Sequence, residues 1–108
     1  MNLNEYQKKA KTTAVFPEHM GIIYCTLALN GEAGEVAERV KKVIRDNDGE
    51  FSLEKCKGIA SELGDVFWYL ANLADQVGFT LEEVAQMNLD KLASRKAHGV
   101  IQGSGDDR

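Results

Sequence analysis

The sequence predicts an all-α protein: a four-to-five-helix bundle built around an antiparallel helical hairpin and assembled as an oligomer. Three observations carry this. The 108 residues include a single proline and many Ala, Leu, Glu and Lys, which favour helix. Two long stretches repeat their apolar residues at alternating three- and four-residue spacing, with a strong turn signal between them. The second stretch follows Val66 with Phe67, Trp68 and Tyr69, so it is apolar around most of its circumference. A helix apolar on two sides is buried on two sides, by its own chain or by a second subunit.

Residues 3–13 read as a short helix, and Pro17 closes it or sits in the loop that follows. From about Met20, the positions Ile22, Thr26, Leu29, Ala33, Val36, Val40 and Val43 form a coiled-coil-like seam. Arg45, Asp46, Asn47, Asp48 and Gly49 supply charge and turn chemistry, so this helix ends near 46. Ser52 is a good N-cap for the next one, although Lys55 stands where a capping box wants Glu. That third helix runs from about Leu53 to Val77, with Ile59, Leu63, Val66, Leu70, Leu73 and Val77 as its seam and Gly78 as its stop. Thr80 to Glu83 is a capping-box pattern that opens a fourth helix, carrying Leu81, Val84, Ala85, Asn88, Leu89 and Leu92 and fading near Lys96. Residues 1–98 therefore read as one domain, and 99–108 as a Gly-rich polar tail.

Composition narrows the function. A net charge of −4 speaks against a nucleic-acid polymer as partner, since phosphate chains want a basic surface. The longest apolar stretch, about Ile22 to Leu29, is too short to span a bilayer, and the first residues lack the apolar run of a signal peptide. Cys25 and Cys56 are isolated and read as reduced thiols. The expectation is a soluble cytoplasmic protein without membrane contact.

The chemistry lies in a near-repeat. Residues 31–43 read GEAGEVAERVKKV and residues 61–73 read SELGDVFWYLANL. They share an acid (Glu32, Glu62), a Gly (Gly34, Gly64), a second acid (Glu35, Asp65) and three apolar positions. Acids three apart lie on one helix face, and the repeat keeps each pair on the same flank of its seam. If the helices form a hairpin turning near Gly49, a rise of about 1.5 Å per residue brings both pairs to nearly the same height. A single pair is usually a solvated helix face. Two pairs in matched register, beside an apolar seam, need a cation to hold them. Oxygen donors without Cys or His favour Mg²⁺, with Mn²⁺ as the alternative. Neither His19 nor His98 follows a Glu by three, which argues against a ferritin-like di-iron site, and the ligand spacing of a calcium EF-hand does not continue around Asp46 to Asp48. Gly34 and Gly64, mid-helix at about 1 kcal/mol relative to Ala, permit close approach of a facing helix, a metal or a ligand.

The run GEAGEVAERVKKVIRD followed by SELGDVFWYLANLADQVGFTLEEVAQMNLDKLASRK resembles the MazG-like nucleotide pyrophosphohydrolases of the all-α NTP pyrophosphatase superfamily. The likeness covers about residues 20–100. Many members carry two adjacent acids at the start of the first motif, and Gly31 replaces the earlier one here. The resemblance implies cleavage of a nucleoside triphosphate between its α and β phosphates, giving the monophosphate and pyrophosphate. It implies Glu32, Glu35, Glu62 and Asp65 as Mg²⁺ ligands, with the attacking water oriented by an ion or by a carboxylate, Glu35 or the nearby Glu38. Asn88, Lys91 and Arg95 share a face of the fourth helix, and by likeness to the family's N-x-x-K-L run they are the substrate-side candidates. An ordinary basic helix end would look the same. Lys42 and Arg45 are weaker candidates. Trp68 is read either as a stacking surface for the base or as core. The tail's GSGDDR resembles the Gly-Asp-rich ends of some members and would close over substrate. Family members associate as dimers or tetramers, so a homodimer or homotetramer is expected, serving nucleotide-pool house-cleaning. The competing reading is a non-catalytic oligomeric helical module that binds a nucleotide or a protein.

Overall fold

The computed structural model describes residues 1–106. Among them are four α-helices and one 3₁₀ turn, with no strand: α1 (Leu3–Lys11), the turn Glu18–Met20, α2 (Gly21–Asp46), α3 (Leu53–Gln76) and α4 (Leu81–Ala97). The all-α expectation holds.

The helix ends follow local chemistry. Asn2 caps α1 by accepting from the Glu5 amide at 2.9 Å. This helix stops at Lys11, short of the expected 13, because Thr12 and Thr13 turn their hydroxyls back onto the Lys9 and Ala10 carbonyls. At the end of α2 the amides of Asn47 and Gly49 both donate to the Val43 carbonyl, and Asp48 and Gly49 take positive φ to reverse the chain. Ser52 accepts from the Lys55 amide and starts α3 without a full box. Gly78, at φ 90°, turns the chain after α3. Thr80 and Glu83 then exchange both bonds of a capping box at 3.0 and 3.1 Å.

α2 and α3 pack along their length as an antiparallel hairpin, while α1 and α4 pack at the far end of α3. The main core is at that end. Ala10, Ala71, Ala74 and Leu81 are buried together, with Tyr6, Phe67, Trp68, Leu70 and Val84 around them. Three alanine-sized contacts let the helices come close. Gln7 then bolts the junction: its amide donates to the carbonyls of Ala71 and Phe79, and its carbonyl accepts from the Leu81 amide. One buried side chain thereby satisfies backbone groups of α3, the turn and α4.

The hairpin is thinner. Only Cys25 and Val43 are buried among the apolar side chains of α2, and Ile22, Ile23 and Leu27 stand 50, 54 and 70% exposed. The radius of gyration is 16.7 Å, against about 13 Å for a compact chain of this length. The described residues thus leave apolar faces on α2 and on α4, where Met87 and Leu89 are exposed.

The seam also differs from the expected one. In α2 the withdrawn positions are Cys25, Leu29, Glu32, Val36, Val40 and Val43, while Thr26 and Ala33 lie in solvent. In α3 they include Ile59, Glu62, Val66, Tyr69 and Leu73, while Leu63 and Val77 are about half exposed. The first acid of each pair therefore sits in the seam, not on its flank. The tail is described as turns through Asp106; the part of the expected tail at 107–108 lies outside the described residues.

Candidate metal centre

Glu32 on α2 and Glu62 on α3 meet across the hairpin because both occupy seam positions at the same height. Asp65, one turn after Glu62, joins them. Each of the three offers a carboxylate oxygen, and these oxygens lie within 4.8 Å of one another. Glu32 and Glu62 are half-buried and Asp65 is exposed. Around an octahedral Mg²⁺ with bonds of about 2.1 Å, ligand oxygens lie about 3 to 4 Å apart. The three acids stand one small side-chain adjustment from that spacing. They bring only hard oxygen donors, which fits Mg²⁺ or Mn²⁺.

The electrostatics agree. Burial holds the Glu32 carboxyl above the usual carboxylate range, and the charges of Asp65, Glu62 and Glu35 push it further the same way. A cation would relieve all of these at once. Tyr69 stands four residues after Asp65 on α3. Its phenol is raised first by burial and then by the charges of Tyr24 and Glu32. Tyr6 of α1 is likewise raised by burial and by Asp65.

The remaining expected residues fall at varied distances from this centre. Glu35 is exposed and stands outside the three-acid group, although its charge reaches Glu32. Glu38 is exposed and paired with Lys41 at 3.0 Å, whose hydrogen bond holds its carboxyl below the usual range. Arg45 is bound by both oxygens of Asp46. Trp68 donates its indole N–H to Thr13 at 2.9 Å and meets Tyr69 edge-on, so it braces α1 against α3.

α4 packs on α3 and α1 and makes no packing contact with α2, the helix that carries Glu32, among the described residues. Asn88 and Lys91 border a cleft with Phe79, Val84 and Met87. Arg95 is 6% exposed. Its guanidinium donates to the Asp106 carboxylate at 3.0 Å, and Lys91 reaches the same oxygen at 3.2 Å. The two cations thus already hold an anion, a carboxylate of the chain's own tail. Arg95 Nε is buried without a partner among the described residues.

Two residues escaped the sequence reading. Arg39 donates through Nε to Glu62 at 3.1 Å, and the phenol of Tyr69, raised first by burial, feels the charge of Glu32. The signal was available: each stands four residues after the second acid of its motif, on that acid's helix face. The glycines gain a partial answer. A Cβ on Gly34 or Gly64 would meet nothing within 4 Å, so no packing within the chain requires them.

The comparisons with known proteins agree with this geometry. The profile of the MazG nucleotide pyrophosphohydrolase domain matches residues 23–100. Gene 37 protein of Mycobacterium phage L5 is 48% identical over 114 residues, covering the whole of both chains. The uncharacterized protein YvdC of Bacillus subtilis (strain 168) is 36% identical over 72 residues, covering 62% of this chain and 68% of that one. No solved structure matches at the same level of significance. The matched segment holds both acid pairs and the whole hairpin, and the chain belongs to the MazG nucleotide pyrophosphohydrolase domain family.

Proposed function

We propose that the protein hydrolyses a nucleoside or deoxynucleoside triphosphate to the monophosphate and pyrophosphate, with Mg²⁺ as cofactor and Mn²⁺ able to replace it. The observation that carries this is the meeting of Glu32, Glu62 and Asp65 across the hairpin, inside the segment that matches the family. When bound, the metal supplies charge neutralisation for the polyphosphate and for the transition state of phosphoryl transfer.

The chain's own residues divide the remaining work. Glu32, Glu62 and Asp65 would hold the cation. Glu35, at the exposed rim one turn from Glu32, takes a proton from the attacking water. Glu38 is the second candidate, and Lys41 competes for it. Gly34 and Gly64 leave both helix rims bare beside the acids, which gives the polyphosphate room to approach. Asn88, Lys91 and Arg95 bind the outer phosphates, with Asp106 standing where a phosphate would go. Since α4 does not touch α2, these residues serve the acids of another copy in a homodimer or homotetramer. The exposed apolar faces of α2 and α4 and the open shape of the single chain support that assembly. Trp68 is core in this reading. The physiological role that fits is house-cleaning of a cytoplasmic nucleotide pool, and no membrane is needed: among the described residues no helix is long and apolar enough to cross one.

The test is pyrophosphate release from a panel of ribo- and deoxyribonucleoside triphosphates with Mg²⁺, repeated on Glu35→Gln and Asp65→Asn. Release that depends on the metal and is lost in both variants supports the reading. No release, or release untouched by either substitution, overturns it.

A further inference from the structure

Arg39 is outside the four acids, yet it is bound to one of them. Its Nε donates to Oε1 of Glu62 at 3.1 Å, with the Glu62 side chain 15% exposed and that of Arg39 51% exposed. The guanidinium reaches this place by crossing α3 at Gly58, one turn before Glu62. A Cβ at residue 58 would stand 2.6 Å from Nη1, so any larger residue there would make the guanidinium shift. Another partner was available, since Glu35 lies four residues before Arg39 on the same helix face. The structure has Arg39 cross the hairpin instead, and no ion pair with Glu35 forms among the described residues.

We propose that Arg39 is a positioning residue for the metal centre: it fixes the side-chain rotamer that sets Glu62 beside Glu32 and Asp65, and Gly58 is the gap that lets it do so. The inference rests on the metal reading given above. Three carboxylates this close repel one another, and an unheld Glu62 would swing towards solvent. The ion pair with Arg39 keeps it in the group before any cation arrives. A partner that holds a metal ligand in place is worth about 10- to 100-fold in affinity.

The sign of the effect is diagnostic. If Arg39 acted only as a nearby positive charge, removing it would tighten cation binding. If it holds a ligand in place, removing it loosens binding. The experiment is titration of the metal-free full-length protein with Mn²⁺ alone, followed by calorimetry or by the free-ion resonance signal, with thermal melting of each variant. Wild type should bind. Arg39→Gln should bind about tenfold or more weakly, with Arg39→Lys between the two. Gly58→Ala alters no acid and no charge and places a better helix former in α3. It should melt at or above the wild-type temperature and still bind Mn²⁺ several-fold more weakly, because its methyl displaces the guanidinium. This variant also decides the matter if Arg39→Gln fails to fold. Equal or tighter Mn²⁺ binding in Arg39→Gln, or unchanged binding in Gly58→Ala, overturns the proposal while the metal reading stands. A wild type that does not bind Mn²⁺ overturns both.

Discussion

In α2 the acid pair sends only Glu32 into the hairpin and leaves Glu35 in solvent, whereas in α3 both Glu62 and Asp65 join the cluster. The two motifs match position by position in sequence, so the difference comes from their surroundings. α3 is covered on a second side by α1, whose Tyr6 packs against Phe67 and lies close enough to Asp65 to feel its charge. α2 has no such cover, and Ile22, Ile23 and Leu27 on it stay exposed. The contrast suggests a division of labour within a near-symmetric frame. In the proposed reading the supported helix would supply two ligands, and the bare one a single ligand and an exposed acid at the rim.

The largest expected effect tests the fixed side. Glu62→Gln and Asp65→Asn should each lower pyrophosphate release by about 1000-fold, the equivalent of several kcal/mol of lost charge stabilisation. Steady-state rates at saturating Mg²⁺ check this. Activity within tenfold of wild type in either variant would remove the distinction between the helices.

A smaller, sharper effect separates the two acids of α2. Glu35→Gln should lose about 100-fold in turnover, as expected for a removed proton acceptor, and keep its Mn²⁺ affinity within a few-fold. Glu32→Gln should lose the affinity itself. If both variants lose affinity equally, Glu35 is a ligand after all, and the motifs are as symmetric in function as in sequence.

Asp106 provides a change that touches neither motif. It is exposed, and its carboxyl is held below the usual range by hydrogen bonds from Arg95 and Lys91 and by their charges. Asp106→Asn should free both cations for phosphate and lower KM by a few-fold, the scale of an exposed ion pair, with kcat unchanged. An unchanged KM would place Lys91 and Arg95 outside the substrate path.

Much of this was legible beforehand, and the failures share a cause. Helix existence followed from apolar period, and the ends at Asp46, Ser52 and Thr80 from cap and turn residues. The four acids could be placed at one height from rise per residue alone. What periodicity could not settle was rotation. Ile22, Thr26 and Ala33 fit the three-four spacing around Leu29 as well as Cys25 and Glu32 do, and hydrophobicity favoured the first set. The true seam accepts a carboxylate at Glu62 because Arg39 of the facing helix pairs with it, a pairing between positions too far apart in sequence for helical spacing to connect. Ile22 was then assigned to the interior, because pattern alone does not say whether an apolar face is covered by its own chain or by another. Nor could helical spacing show the contact of Arg95 with Asp106, which lies eleven residues on, past the last helix.

The smallest effect, and the one that isolates Glu32 from Glu35 without substrate, is on stability. Glu32 has a carboxyl raised in the folded state, by burial first and by Asp65, Glu62 and Glu35 next. A raised folded-state pKa means the fold binds this proton more tightly than the unfolded chain does. The stability it contributes is fully present below the unfolded carboxylate value of about 4.3, and is lost as pH rises through the higher folded value. The metal-free protein should therefore melt progressively lower across that window. Glu32→Gln removes the ionisation, so the variant should melt together with wild type at the acid end and a few degrees above it near neutrality. Glu35→Gln should raise the curve near neutrality by less, since it removes only the last of the charges acting on Glu32. Saturating Mg²⁺ should then reverse the order at neutral pH, because a ligand that binds the native state stabilises only the protein that can hold it. If Glu35→Gln and Glu32→Gln shift the melting curve alike, the bare helix treats its two acids equally, and the asymmetry between α2 and α3 has no energetic consequence.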